Sequence, residues 1–282
     1  MKVIKTVQEI RKFIQTAKAK DKTIGFVPTM GALHEGHLSL MRQSKKENDI
    51  TVVSIFVNPK QFGPKEDFAR YPREEKKDKL LAQRAKVDII FYPSVEEIYP
   101  QGYLTYVEVE QLTQGLCGRS RPGHFRGVTT VVTKLLNIVT PNILYLGQKD
   151  AQQAIVLRKM IQDLNISTEV KICPTIREKD GLAMSSRNSY LSDEHRQEAP
   201  FLFQSLKYAQ KKIAEGERNV TAINREVTLM IEKNTSAEIE YVECVNTQTL
   251  RPLKTIQGEM LLALAVRFGP TRLIDNLMFK VS

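Results

Sequence analysis

The sequence has no tryptophan and only three cysteines in 282 residues. Cys117, Cys173 and Cys244 lie far apart and form no C-x-x-C pair. That spacing argues against a zinc ribbon or a disulfide framework and fits a reducing compartment. No apolar run reaches the roughly 18 residues a membrane span needs, so no membrane partner is expected. The first residues, MKVIKTVQEIRKF, are charged throughout and lack the apolar core of a secretory signal. Internal repeats, low-complexity tracts and a Walker-type phosphate motif are all missing. The formal charge is +10 and the pI about 9.4. Yet no block of about five or six like charges occurs, so the excess reads as a basic surface around a site for anionic small molecules. A polyanion partner is the alternative. Aromatics at 7% and no RNP-type pattern argue against a nucleic-acid module.

What is present is ordinary for a globular chain with a real core: 41% hydrophobic and 26% charged residues. Thr6-Val7-Gln8-Glu9 is a capping box, and Val7, Ile10, Ile14 and Ala17 continue at helical spacing, which predicts a helix over about 6–20. Ile24–Val27 reads as a buried strand ended by Pro28. A second helix follows over about 36–47. Ile50–Val57 is a β-branched strand stopping at Asn58-Pro59. Residues 60–71 read as a loop. Pro72 suits the first turn of a helix that runs through REEKKDKLLAQRA, and the mixed charges of Glu74–Lys79 look like a solvated face. Val87–Tyr92 is a third strand, and Leu104–Val109 alternates like a half-exposed one. Gly115–Gly127 reads as a basic, glycine-rich loop and Val128–Val139 as a buried helix. Ile143–Leu146 and Val170–Ile176 are further strands, with a helix from Ala151 to Leu164 between them. This alternation predicts an α/β, doubly wound, parallel-sheet (Rossmann-like) domain over residues 1–176. After it, a polar loop, a helix capped by Ser192, a long charged helix that follows to about Gly216, a helix over about 221–233 and strands near 239–245, 259–268 and 271–278 predict a smaller α+β domain over 177–282 that closes over the site.

The densest stretch is Thr23–Leu40, TIGFVPTMGALHEGHLSL. His34 and His37 sit where a strand gives way to a helix, between Gly31 and Gly36. Such a turn points free backbone N–H groups and the positive end of the helix dipole at one spot, which attracts phosphate. Two histidines there can support charge developing on a phosphate. A metal pair fits less well, since the zinc-protease spacing is i, i+4 and a third ligand is needed. Gly147-Gln148-Lys149-Asp150 repeats the strand-to-helix placement. Lys149 could neutralise a phosphate and Asp150 accept from ribose hydroxyls; a plain helix start is the alternative. Met184-Ser185-Ser186-Arg187 offers two hydroxyls and a guanidinium suited to a triphosphate, or simply a capped turn. Gln61 and Gln153 could hydrogen-bond a small polar substrate.

Taken in order, PTMGALHEGH, FVNPKQFG, RPGHFRGV, GQKDAQQ and MSSRN resemble the pantoate–β-alanine ligase (pantothenate synthetase) family, over nearly the whole chain. The H-x-G-H element is also similar to that of nucleotidylyl transferases and class I aminoacyl-tRNA synthetases, whose products differ; VNPKQF and the two glutamines favour the ligase. The resemblance implies that ATP and (R)-pantoate give pantoyl adenylate and pyrophosphate, and that β-alanine then displaces AMP. It implies ATP contacts from Met30, Gly31, Ala32, Leu33, His34, Glu35, Gly36 and His37, with His37 in the proton-donor position. Gly147, Gln148, Lys149 and Asp150 match the ribose and phosphate segment, and Ile176 an adenine-side position. Met184, Ser185, Ser186 and Arg187 match the loop similar to the synthetases' KMSKS element. His34, His37 and Lys149 are thus the expected catalytic groups. Gln61 and Gln153 match substrate positions for pantoate and β-alanine, and Arg121 and His124 border the site. Mg2+ is expected with ATP, with Asp78 a possible neighbour and Lys77 where many relatives carry a second acid. A cytoplasmic homodimer is also implied.

Overall fold

The computed structural model describes residues 1–64 and 66–281. Six strands form a parallel sheet: β1 (Lys2–Ile4), β2 (Ile24–Thr29), β3 (Ile50–Ile55), β4 (Ile89–Phe91), β5 (Ile143–Gly147) and β6 (Glu169–Cys173). Their spatial order is β1-β4-β3-β2-β5-β6. From β2 the chain winds outward through β3 and β4, then resumes on the other side of β2 with β5 and β6. The winding therefore reverses between β2 and β5, and the carboxyl ends of those strands flank the crevice where such sheets bind ligands. The doubly wound expectation holds. β1 has no sequence signal; three residues qualify as a strand only because Lys2–Ile4 pair with Ile89–Phe91.

Three further strands, β7 (Glu238–Asn246), β8 (Gly258–Phe268) and β9 (Thr271–Val281), make a separate antiparallel sheet in the order β7-β8-β9. The chain divides into two compact units. One comprises Met1–Val109, Arg121–Gly147 and Val156–Pro174; the other takes Glu110–Ser120, Gln148–Ile155 and everything from Thr175 onward. In the first, Val27, Met41, Val53, Ile90 and Tyr145 form a buried cluster across the sheet. In the second, Leu202, Leu206, Ile223 and Val227 pack on Leu262, Leu264 and Val266 of β8.

Several boundaries differ from those expected, each for a local reason. β2 runs through Pro28 to Thr29, with Pro28 opposite Ser54. Ile24 turns its backbone groups toward Asn142 on the β5 side, while the Thr29 carbonyl accepts from Phe56 on the β3 side. Alternation places the Pro28 nitrogen on the β5 side, where pairing has already ended at Phe26, so the missing N–H removes no ladder bond. The third helix starts at Glu75 rather than Pro72. The Arg73 guanidinium donates back to the Phe68 and Tyr71 carbonyls and holds that segment out of the helix. Residues 104–109 form no strand: Val107 instead donates to Thr130 Oγ1 and accepts from Thr129 Oγ1. The glycine-rich stretch contains a short helix, Cys117–Ser120, and the start of the buried helix, which begins at His124 and ends at Val139. The helix expected after Ser192 is Asp193–Glu198, and the long charged helix that follows is Phe201–Ala214, the two separated at Ala199-Pro200. Ser192 does cap the first, accepting from His195 N at 3.2 Å.

Candidate active site

The chain leaves β2 at Thr29 and enters the helix Glu35–Glu47, whose N-cap is His34. His34 Nδ1 accepts from the Gly36 amide at 3.2 Å. His37 Nδ1 accepts from the His34 amide at 3.4 Å. The rings lie 4.1 Å apart. The two histidines thus form a reciprocal cap, the role usually taken by a Ser/Glu pair. It also fixes the rings chemically. A ring nitrogen that accepts is unprotonated, so each neutral imidazole carries its proton on Nε2. Two N–H donors are thereby paired at the positive end of a helix. Glu35, in contrast, is exposed and ion-paired with Arg42.

The turn between strand and cap is held from beneath. Gly31 and Ala32 have φ of +85° and +49°; the second is a strained value for a residue with a side chain. Asp78, 1% exposed, accepts from Ala32 N at 3.0 Å and Leu33 N at 2.8 Å, one on each carboxylate oxygen. A Cβ on Gly31 would stand 2.9 Å from that carboxylate. Burial pushes the Asp78 carboxyl above its ordinary range, and the two amides only partly offset this. The stretch Glu74–Lys79, read from sequence as a solvated face, therefore hides one buried acid. Lys77 is exposed and paired with Glu74. Among the described residues no three His, Cys, Asp or Glu side chains gather as metal ligands, and both Asp78 oxygens already serve the turn. The residues present do not fit a resident cation.

After β3 the chain reaches Asn58, which is 1% exposed. Its Oδ1 accepts from Tyr99 OH at 2.9 Å and Lys60 N at 3.2 Å. Its Nδ2 donates to Gln61 Oε1 at 3.0 Å and the Gly127 carbonyl at 3.1 Å. Gln61 Nε2 in turn donates to Met30 Sδ at 3.3 Å. Behind Gln61, His124 Nδ1 and Arg121 Nη2 both reach its backbone carbonyl, at 2.9 and 3.3 Å. Arg121 also grips Glu66 through two bonds of 2.7 and 2.6 Å. From sequence Asn58 reads only as a strand stop; the signal that could have found it is a polar residue following a fully buried strand. Met30, the histidine cap and Gln61 thus come together beyond β2 and β3, with Asn58, Arg121 and His124 as support.

A family model for pantoate-beta-alanine ligase matches residues 2–278. The chain belongs to the pantoate–β-alanine ligase family. It is 55% identical over 281 residues to the pantothenate synthetase of Acetivibrio thermocellus, covering all of both chains. It is also 55% identical over 276 residues to that of Thermotoga petrophila, covering 98% of this chain and 99% of the relative. Among solved structures, pantothenate synthetase from Thermus thermophilus matches with a TM-score of 0.94 at 44% identity, over 98% of this chain and 99% of that one. A pantoate–β-alanine ligase from Francisella tularensis, complexed with beta-gamma ATP and beta-alanine, matches with a TM-score of 0.80 at 35% identity, over 99% and 97%.

The other residues implied by the family belong to the second unit, apart from Gly147, which ends β5. Gln148–Asp150 form a single 3-10 turn ahead of the helix Ala151–Asp163. Lys149 is half-buried, its Nζ 3.7 Å from Asp150 Oδ1. Gln153 is half-buried on that helix. Its neighbour Gln152 is a structural residue, taking the Cys117 amide and giving to the Leu112 and Gly115 carbonyls. The Ile176 carbonyl accepts from Met184 N at 3.0 Å. Ser185 caps the turn Ser186–Tyr190 by accepting from Arg187 N at 3.3 Å.

Proposed function

We propose that the protein joins pantoate to β-alanine using ATP, through a bound pantoyl adenylate. A free carboxylate is a poor electrophile at neutral pH. Attack of the pantoate carboxylate on the α-phosphorus expels pyrophosphate and gives a mixed anhydride. The β-alanine amine then attacks the acyl carbon, and AMP leaves with the bonding pair of the broken C–O bond. Little covalent work falls to the protein, which must align the reactants and meet charge developing on phosphate.

The observation that carries this reading is the histidine cap. It sets two Nε2–H donors at a helix N-terminus, while the same turn's Met30 meets Gln61. In this reading the donors of His34 and His37 serve the phosphates, with His37 as proton donor, and the Gly31–Leu33 turn that Asp78 holds sets the histidines in place. Gln61 and Gln153 hold pantoate, with β-alanine beside Gln61. Lys149 neutralises phosphate charge, Gly147, Gln148 and Asp150 serve ribose and phosphate, Ile176 borders adenine, and Met184–Arg187 serve the triphosphate. Support comes from family membership and from the Francisella tularensis relative, whose bound ligands are two of those required. Magnesium enters as part of the ATP complex. A cytoplasmic homodimer is the setting implied by resemblance, and sedimentation of the purified chain tests the dimer.

Isotope exchange between pyrophosphate and ATP tests the reaction. Exchange should require pantoate and not β-alanine; exchange supported by a different acid in place of pantoate contradicts the assignment. H37A or K149A should lower exchange by about 10²–10³ with the fold intact, whereas Q61A should chiefly weaken pantoate binding.

A further inference from the structure

In the second unit, two adjacent side chains of β9 reach two separate parts of the candidate ATP machinery. Asp275 and Asn276 are each 3% exposed. Asp275 takes the Arg177 guanidinium as a fork, with Nη1 to Oδ2 at 2.6 Å and Nη2 to Oδ1 at 2.8 Å. Arg177 Nη1 also reaches the Gly181 carbonyl at 3.0 Å, and the guanidinium stacks 3.6 Å over Phe203. That bond and the bridge between Arg177 and Ala183 close the hairpin leading into Met184–Arg187. Asn276 Nδ2 donates to the Gln148 carbonyl at 3.0 Å and the Lys149 carbonyl at 2.9 Å. Its backbone N–H donates to Asp275 Oδ1 at 2.7 Å, tying the two together.

We propose that Asp275 and Asn276 are positioning residues that hold the Gln148–Asp150 turn and the 177–187 loop in one fixed arrangement. The amide cannot be turned round, because its oxygen would then face two carbonyls. Two donors on consecutive carbonyls fix both peptide planes, and so the direction in which the Lys149 side chain leaves the backbone. The same orientation leaves Asn276 Oδ1 buried without a hydrogen-bond partner. An apolar side chain would avoid that unmet acceptor but would supply neither donor. The Arg177 fork does the same for the loop, since a planar bidentate pair sets an angle as well as a distance. β9 therefore acts as a jig for two ligand segments distant in sequence.

This rests on reading Lys149 as a phosphate contact, and a double-mutant cycle separates the two ideas. Pantoate-dependent pyrophosphate–ATP exchange is measured for N276A, K149A and N276A/K149A, with unfolding midpoints alongside. N276A is expected to lower exchange at subsaturating ATP by about tenfold, mainly through KM for ATP. In the K149A background it should cost less than about twofold, because the group it orients has gone. A residue that merely supports the fold would cost the same in both backgrounds. K149A impaired, with the N276A loss undiminished, overturns the positioning role alone. Wild-type exchange in K149A overturns the assignment of Lys149 and the proposal with it. Should N276A not fold, N276S goes through the same cycle under the same criterion. R177K keeps the charge but loses the fork and should also raise KM for ATP; an unchanged KM removes the Asp275 half of the proposal.

Discussion

Replacing Asp78 by alanine tests how the turn over the histidine cap is made. The side chain is almost fully buried and gives one carboxylate oxygen to each of two backbone amides, Ala32 N and Leu33 N. D78A leaves both amides buried and unmatched, at about 1–3 kcal/mol each. Against this stands relief from burying a carboxylate, a real cost because burial outweighs the two amides in setting its pKa. The balance for D78A is a loss of about 2–4 kcal/mol. D78N keeps one acceptor and turns its NH2 group toward the other amide, so about 1–2 kcal/mol is expected. Ala32 also loses the contact that holds it at φ +49°, so the turn that carries the histidine cap loses its alignment and KM for ATP rises. Urea unfolding with a constant slope gives the stability change, and pyrophosphate exchange gives KM. A D78A protein within about 0.5 kcal/mol of wild type, with an unchanged KM for ATP, would refute the reasoning.

Gly127→Ala would put a Cβ 2.2 Å from the Lys60 carbonyl oxygen and 2.6 Å from Gln61 N; these are backbone atoms, so Gln61 should be displaced at about 1–3 kcal/mol, seen as lower stability and a higher KM for pantoate. Asn58→Ala strands the Tyr99 hydroxyl and releases Gln61, with an expected loss of about 2–3 kcal/mol and a similar pantoate defect; unaltered pantoate saturation would contradict that linkage. For pH dependence, burial pushes the Glu66 carboxyl up, but its bonds to Arg121 prevail and hold it below its ordinary value of 4.5. Its stabilisation is therefore present above the unfolded carboxylate pKa and is lost as pH falls through the lowered folded value. Stability curves of wild type and E66Q should converge on acidification below about pH 4.5; parallel curves would show that the pair is not ionically coupled.

The sequence by itself settled the fold class and the family. Parallel strands buried on both faces read as β-branched runs, and helix caps are local, so patterns such as ITVVSIFV and TVQE announce themselves without tertiary help. Motifs at strand ends could be found because each combines a break in periodicity with unusual residue types. Pairing decided what pattern could not. β1 is a strand only beside β4, Pro28 is tolerated because the pairing of β2 with β5 stops at Phe26, and residues 104–109 form no strand because two threonines take the bonds of Val107. The supporting residues were the least legible. Asp78 sits in a charged run, Asn58 beside a proline, and Asp275 and Asn276 on a strand near the far end of the chain. Local pattern does not give any of them its supporting role, since they have partners 45, 41, 98 and 128 positions away. A side chain that will touch phosphate must be of a chemical type that sequence displays. A side chain that holds another in place is defined by distance and burial, and only the folded chain supplies those.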